Sequence, residues 1–234
     1  MATQLKLETE IEGLGQVYHT ENNLIDGLES LRQVGIENPI SVRDLAFARI
    51  KTGFGNSLSS TESYTSSSLE YAKGRPALLV RLSPLLTNPE LLKKAMDGIR
   101  SGYHYGILQE SIDLYLEHFE QAKQDKNKQP EDRRVLILYE EELPEGCSIR
   151  INEFTDIGRF LFQDVGRDYY RFTSQGVSKL HLLGREKSDH LHLTSIIADT
   201  LIFHSCGYGS NSLLDGAGGR IARDQYGIRG VRKS

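Results

Sequence analysis

The chain has 234 residues, 38% apolar content and a net charge of −4, which allow one large domain, or a domain with an appendage, around a real core. The apolar runs are too short to span a membrane, no secretory signal is expected, and the net charge argues against non-specific polyanion binding by the whole protein. Two distant cysteines, Cys147 and Cys206, form neither a disulfide framework nor a zinc pattern, so we expect reduced thiols and a cytoplasmic location.

The first half of the chain alternates between strand and helix patterns. Apolar and charged residues alternate over residues 5 to 12, which predicts a strand with one wet face. Helical spacing over residues 24 to 31, before Gly35, predicts the first helix, and Ser41 with Asp44 resembles a capping box. The other predictions here are an extended segment at 16–19, a helix over 41–51, a Gly/Ser/Thr-rich loop at 53–68, a buried strand at 76–82, and helices that begin near 88 and 108.

Strands dominate the predictions for the second half, after a polar connection at 121–134. Residues 196–203 could be strand or helix, because periodicity cannot decide so short a run. The other predictions are strands at 135–138, 148–151, 169–173, 178–183 and 190–194, and a Gly/Ser/Asn-rich loop at 207–219. The predicted fold class is α+β, with a split mixed or antiparallel sheet and helices packed mainly in the N-terminal half.

The division of the chain is predicted at residue 151. Residues 1–151 are expected to form a core, and residues 152–234 an extension packed on it. The last fifteen residues carry five basic side chains and one acidic side chain, so 220–234 is predicted to be an exposed basic tail.

Three short segments, in a fixed order, resemble the NAD-binding parts of ADP-ribosyltransferases. The first is the sequence Val-Tyr-His-Thr at 17–20, followed by the helix that Gly35 ends. The second covers residues 63–74, and the third runs from the Glu-Glu-Glu-Leu-Pro-Glu-Gly sequence at 140–146 into a strand at 148–151. The resemblance extends over about residues 16 to 151.

This resemblance implies a mono-ADP-ribosyltransferase, toxin-like in part, that uses NAD as its substrate. Such an enzyme cleaves the nicotinamide–ribose bond and transfers ADP-ribose to an acceptor, which the sequence does not identify. The bond breaks toward an oxocarbenium-like ribose, as in glycoside hydrolysis. A carboxylate stabilises that charge, and an aromatic ring holds the nicotinamide flat.

The resemblance also implies roles for particular residues. Glu142 is the expected catalytic carboxylate, and Glu140 is placed to activate the acceptor. In the branch with a His-Tyr-Glu triad, His19 with Thr20 holds the NAD ribose and Tyr64 lies against the nicotinamide. In the branch with an Arg-Ser-Glu triad, the candidates are Ser66, Ser67 and Ser68 for the serine and Arg49 or Arg43 for the arginine. A competing alignment puts Gln225 where the final glutamate should be.

A second hypothesis is a non-enzymatic protein that binds nucleic acid or supports an assembly. It relies on the Gly-rich loop 207–219 and the basic C-terminus. His190 and His192 have a spacing that metals use, but solvated histidines are the more common explanation, so no metal site is predicted.

Overall fold

The C-terminal strand lies near the middle of a ten-stranded mixed sheet. The structure is a computed structural model that describes residues 4–61, 63–71, 75–90, 109–139, 148–175, 179–183, 192–198, 211–215 and 226–233. The strand order is β1-β2-β10-β3-β8-β9-β7-β6, and β4 joins β3 to β5. The strands are β1 (Lys6–Ile11), β2 (Gly15–Asn22), β3 (Ser63–Tyr71), β4 (Ala77–Val80), β5 (Val135–Leu138), β6 (Ser148–Ile151), β7 (Lys179–Leu183), β8 (His192–Ala198), β9 (Asn211–Asp215) and β10 (Tyr226–Arg232).

Helices cover both faces of this sheet, and their starting points follow from local sequence. The Asn23 side chain accepts a hydrogen bond from the backbone of Asp26, and the Ser41 side chain accepts one from Asp44. Gly35, with φ of 78°, follows the first helix. The described helices are α1 (Leu24–Gln33), α2 (Val42–Thr52), α3 (Ser57–Ser60), α4 (Pro84–Thr87), α5 (Gln109–Gln124), α6 (Asp156–Phe162) and α7 (Gly166–Ser174).

The predicted α+β class is confirmed, but several local predictions are wrong. The loop predicted at 207–219 is a strand over its described residues, which form β9 (Asn211–Asp215). Residues 63–68, predicted as loop, belong to β3, because the buried Ser67 and Ser68 hydroxyls find partners in the Arg81 carbonyl and the Glu70 carboxylate. Residues 169–173, predicted as strand, lie in α7. Tyr169 and Thr173 are buried four residues apart, which is helical spacing.

The predicted exposed tail is also wrong over its described part. Residues 226–232 form β10, which pairs antiparallel with β2 and parallel with β3. Ile228 and Arg229 have no exposed surface. A count of basic residues cannot reveal this, because an arginine can enter a sheet when a carboxylate from elsewhere meets it.

On one face of the sheet, α1 packs closely against β10. Ile228 and Tyr64 join Leu24, Leu28 and Leu31 in one buried cluster. The approach is so close that a Cβ on Gly27 would lie 1.9 Å from the Ile228 Cδ1 atom. Glycine at position 27 therefore lets this helix sit directly on the sheet.

The opposite face carries the larger core. Strands β2 to β6 contribute apolar side chains to it, and α2, α6 and α7 cover them. Its members include Val17, Leu45, Leu69, Leu136, Phe160 and Tyr169. Helices on both faces of one sheet give the chain two apolar layers, which a domain of this size needs to bury its apolar residues.

A buried ion pair ties β10 to β1 on the face of the larger core. The Arg229 Nε atom donates to Glu8 Oε2 at 2.8 Å, and Nη2 donates to Glu8 Oε1 at 3.0 Å. The same Nη2 also donates to the Ser57 carbonyl and to the Thr61 hydroxyl, at 3.1 and 2.6 Å. Burial acts to raise the pKa of Glu8, but the hydrogen bonds and charge of Arg229 outweigh it and hold that pKa below its ordinary value. Glu8 therefore stays ionised.

We predict that Arg229→Met lowers the free energy of unfolding by about 3–5 kcal/mol, because it leaves the Glu8 carboxylate buried without its cation. Urea unfolding followed by circular dichroism measures this. Arg232→Met, three residues along the same strand, removes an exposed cation and should change stability by less than about 1 kcal/mol. The double change Glu8→Leu with Arg229→Met should recover much of the loss. Equal effects of the two single substitutions would contradict this account.

Candidate functional site

The sheet separates the residues that the sequence predicts to share one site. His19 lies directly opposite Arg229, whereas Tyr64 lies directly opposite Ile228. Because Ile228 and Arg229 are consecutive in a strand, they point to opposite faces of the sheet, and their partners do the same. His19 and Tyr64 therefore cannot line one cleft, and the prediction that they do is wrong. Glu140, Glu142 and Gln225 lie outside the described residues.

The other predicted residues take part in the packing of the fold. Thr20 is buried opposite Ile228, on the α1 face, and accepts a hydrogen bond from Asn22. Arg49 lies on the buried side of α2. It donates to the Leu58 carbonyl at 2.8 Å and to the Tyr169 hydroxyl at 3.2 Å. These contacts join α2 to α3 and α7.

The serine candidates and Arg43 are likewise held by neighbouring chain segments. The Ser66 backbone donates to the Ile40 carbonyl at 3.1 Å, and the Ser67 hydroxyl donates to the Arg81 carbonyl at 2.9 Å. Arg43 makes a two-pronged ion pair with Asp164, both bonds at 2.9 Å. These contacts connect β3 and α2 to neighbouring segments.

A buried polar pair that the sequence did not reveal joins β3 to α5. The His118 Nδ1 atom lies 3.0 Å from Glu70 Oε2, and the Ser68 hydroxyl donates to the other Glu70 oxygen at 3.1 Å. The serine and the histidine contact different oxygens of the carboxylate, so they do not form the serine–histidine contact that nucleophilic catalysis requires. The pair fixes α5 on the sheet.

Phe154 is the described apolar side chain that most stands out on the surface, with 81% of it exposed. It sits in loop 152–155, between β6 and α6. The Asn152 side chain accepts hydrogen bonds from the backbones of Phe154 and Thr155, at 2.8 and 3.3 Å. The Thr155 hydroxyl donates to the Asn152 carbonyl at 2.9 Å and accepts from the Gly158 backbone at 3.1 Å. The loop is therefore closed on itself and on the start of α6.

Gly158 makes this loop possible. A Cβ atom at this position would lie 1.9 Å from the carbonyl oxygen of Asn152, which is backbone and cannot move aside by changing a rotamer. The first turn of α6 thus packs against the loop that presents Phe154.

An open groove of about 530 Å³ lies beside Phe154, and three arginines line it. We call Phe154, Glu153, Arg159, Arg167 and Arg171 together the Phe154 surface. Arg159 is paired with Glu131 at 2.8 Å. Arg167 has no ion pair among the described residues, and Arg171 lies 3.9 Å from the exposed Asp168.

Arg167 stands at an unfavourable position in the helix that carries it. It lies in the first turn of α7, where the helix dipole disfavours a cation. It is also four residues from Arg171, so the two share one side of the helix, and like charges at this spacing are mildly destabilising. Arg171 itself lies in the last turn, where the dipole favours a cation. The stability of α7 therefore does not account for Arg167.

The floor of the groove is rigid. Among the described residues, Gln163 is the one non-glycine residue with a φ in the left-handed region, at 52°. The surrounding structure must hold this backbone conformation. With its carboxamide oxygen turned toward Arg81, Gln163 accepts hydrogen bonds from Arg81 Nε and Nη1 at 3.0 and 3.2 Å. Arg81 also donates to the Phe160 carbonyl and covers the Phe160 ring at 4.7 Å.

Sequence reasoning missed the Phe154 surface because its parts come from separate segments, and because α7 was predicted as a strand. One local signal was available. Phe154 stands among polar residues, directly before Thr155, which caps α6. An aromatic residue just ahead of a helix cap, with no apolar neighbours in sequence, has no core to enter.

Two further findings concern only the described residues. Within them, no group of three or more His, Cys, Asp or Glu side chains could hold a metal ion. Within the same residues, no helix is long and apolar enough to cross a membrane.

Comparison with known proteins gives a fold and overturns the family resemblance. No protein-family model matches the chain, and no curated protein matches it. A solved structure, described as the accommodation of massive sequence variation in Nanoarchaeota by the C-type lectin fold, is similar with a TM-score of 0.63. The similarity covers 95% of this chain and 100% of that chain at 16% identity, so it shows the fold alone.

The resemblance to ADP-ribosyltransferases is therefore wrong, and so are the transferase function and the toxin-like character that it implied. The C-type lectin fold is the similarity found, and the alternative of nucleic-acid binding or assembly gains no specific support from it. The motifs misled because each is only a few residues long, and the register of the strands that carry the first two turns His19 and Tyr64 to opposite faces. NAD as substrate remains a prediction that depended on this resemblance.

We predict that Gly158→Ala lowers the free energy of unfolding by about 1–3 kcal/mol, because the added methyl group has to displace backbone. Gly166→Ala in α7 is the matched control, since its Cβ would meet only the Phe162 Cβ at 3.4 Å. That change should be neutral, or stabilising by up to about 1 kcal/mol, the helix preference for alanine. Thermal unfolding of both variants measures the difference. Gly158→Ala with unchanged stability would show that the loop is not closed as described.

Proposed function

We propose that this protein is a recognition protein that binds another protein through the Phe154 surface. The observation that carries the proposal is an aromatic side chain, 81% exposed, on a hydrogen-bonded loop beside a groove that three arginines line. Aromatic residues and arginine are enriched where protein interfaces derive most of their binding energy.

The rigidity of the loop supports the proposal. Binding has to overcome the ordering of side chains and loops, which amounts to about 0.5–1.5 kcal/mol for each immobilised side chain. Loop 152–155 is already ordered by the bonds among Asn152, Thr155 and Gly158. Phe154 has only two side-chain torsions to fix, so a partner meets an anchor that is largely in place.

The fold supports the same proposal in a more general way. The similar solved structure is described as a C-type lectin fold that accommodates massive sequence variation. A fold that tolerates such variation keeps its scaffold while surface side chains change, and a scaffold of that kind suits recognition. In this chain the Phe154 surface is carried by such a scaffold, and its outward side chains are not part of either core.

The charges around the groove favour protein over nucleic acid as the partner. Four carboxylates lie among the arginines, and a nucleic acid, which carries a charge at every phosphate, could not keep clear of them as a polypeptide with single carboxylates can. They are Glu131, Glu153, Asp164 and Asp168. Two are occupied within the chain, Glu131 by Arg159 and Asp164 by Arg43. The suitable partner is a polypeptide with an apolar pocket for Phe154 and carboxylates that Arg167 and Arg171 can grip.

Nucleic-acid binding through the C-terminus stays a prediction with less to support it. Of the basic residues described there, Arg229 is buried with Glu8, and Arg232 donates to Gln16 and covers the Tyr18 ring at 5.1 Å.

We predict that peptides selected from a random displayed library on the wild-type chain bind Phe154→Ser at least about tenfold more weakly, the effect of losing a strong interface anchor. Leu7→Ser is the matched control. Leu7 is 51% exposed but lies on β1, outside the Phe154 surface, so Leu7→Ser should leave the affinities unchanged. Arg171→Glu should weaken the acidic peptides most, because it reverses the charge that they contact.

Fluorescence anisotropy with the selected peptides and with a single-stranded RNA measures all of these affinities. Peptides that bind Phe154→Ser as tightly as wild type would refute the proposal. RNA binding that weakens steeply with salt and depends on Phe154 would assign this surface to nucleic acid instead.

A further inference from the structure

We infer that His19, Glu8 and Arg229 form an acid-sensitive latch that holds strand β1 on the sheet near neutral pH and loosens it on acidification. The inference is independent of the proposed function, because the latch lies in the β1–β2–β10 part of the sheet and involves no residue of the Phe154 surface.

The latch rests first on where His19 lies. In the strand register His19 is opposite Lys6 of β1 on one side and opposite Arg229 of β10 on the other. Its Nε2 atom is buried and has no hydrogen-bond partner among the described residues. A buried ring nitrogen without a partner gains no hydrogen bond from the fold when it takes up a proton.

Charged groups from every strand around it face His19. They are Lys6 and Glu8 from β1, Glu21 from its own strand and Arg229 from β10, while α3 brings the neutral Ser57 and Thr61. Arg229 is already bound to Glu8 by two hydrogen bonds. A protonated His19 would place a second cation beside Arg229 and compete with it for the Glu8 carboxylate.

The direction of the effect follows from proton linkage. Burial, and then the charge of Arg229, hold the pKa of His19 below its ordinary value. An imidazole released to water titrates at about pH 6.5. Between that pH and the lower value in the closed structure, the open form binds more protons than the closed form. Acidification through this window therefore favours opening, and above it the latch is at full strength.

Glu8 acts later in the same direction. Its pKa in the folded chain also lies below its ordinary value, so its ion pair with Arg229 survives until the pH falls well below the range in which His19 responds. His19 is therefore the group that acts first on mild acidification.

Strand β1 is the element that can respond without unfolding the rest. It ends the strand order and pairs with β2 among the described strands. Its register is interrupted between Leu7 and Thr9, so that Glu8 stands at the irregularity, and Leu7 is 51% exposed. An edge strand with an interrupted ladder opens at lower free energy than central strands do.

Hydrogen exchange followed by mass spectrometry on the full chain tests the latch. Protection of β1 is measured at about pH 7.5 and about pH 5.5, on either side of the ordinary imidazole pKa, and corrected for intrinsic exchange. We expect β1 protection to fall by severalfold, and by no more than about tenfold per pH unit, the limit for one linked proton. Helices α5 and α6 should keep their protection.

Two variants decide the cause. His19→Gln should remove the pH dependence of β1 protection, because the side chain no longer titrates. His118→Gln is the matched control: it changes a histidine on α5 that is paired with Glu70, and β1 should still respond to acid. Equal β1 protection at both pH values, or a loss that persists in His19→Gln, would overturn the latch. An NMR titration of wild-type His19 gives a measurement that needs no variant, and a pKa at or above about 6.5 would overturn it as well.

Discussion

The fold depends on the insertion of the C-terminal strand between β2 and β3, and one buried guanidinium secures it. Arg229 meets Glu8 from the first strand and Ser57 and Thr61 from the third helix, so segments more than 160 residues apart in sequence meet at one group. Without β10 the sheet would divide into two parts, β1 with β2 and the strands from β3 onward. Ile228, one residue earlier, completes the cluster under α1 on the other face. A single strand thus contributes to both apolar layers, and the two layers form together.

Two further arginines, the buried Arg49 and the half-buried Arg81, extend the same arrangement toward the Phe154 surface. Arg49 joins α2 to α3 and α7, and Arg81 joins β4 to α6 through the Phe160 carbonyl and ring. Most of their partners are neutral carbonyl or hydroxyl groups, so burial lowers the pKa of Arg81 without removing its charge. Such bonds are directional, whereas apolar contacts tolerate sliding. They fix the positions of α6 and α7, and so the surface that these helices present.

The sequence predicts those structural features that depend on residues close together in the chain, and it misses those that depend on distant residues. The β1 alternation, the helical spacing from residue 24 and the Ser41 cap are local, and both helices begin where predicted. Strand β3 was not predicted from composition, because its serines satisfy their hydroxyls only through Arg81 and Glu70. Strand β10 was taken for a solvated tail, because Glu8 and Arg229 are 221 residues apart. The candidate site failed for a related reason: a motif names residues, but the strand register decides that His19 and Tyr64 face opposite ways.

The Phe154 surface shows how one fold can hold constant residues and changeable ones side by side. Gly158 and Thr155 are constrained by the loop, since each meets the Asn152 backbone directly. Arg167, Asp168 and Arg171 are exposed on α7, and none belongs to a core. Substitution there would leave the scaffold folded, because exposed helix positions contribute little to stability, and under the proposed function it would alter what the surface binds. The loop is held in place by its own contacts, whereas the exposed face of α7 is not. Under the proposed function, substitutions on α7 could therefore change specificity without loss of the fold.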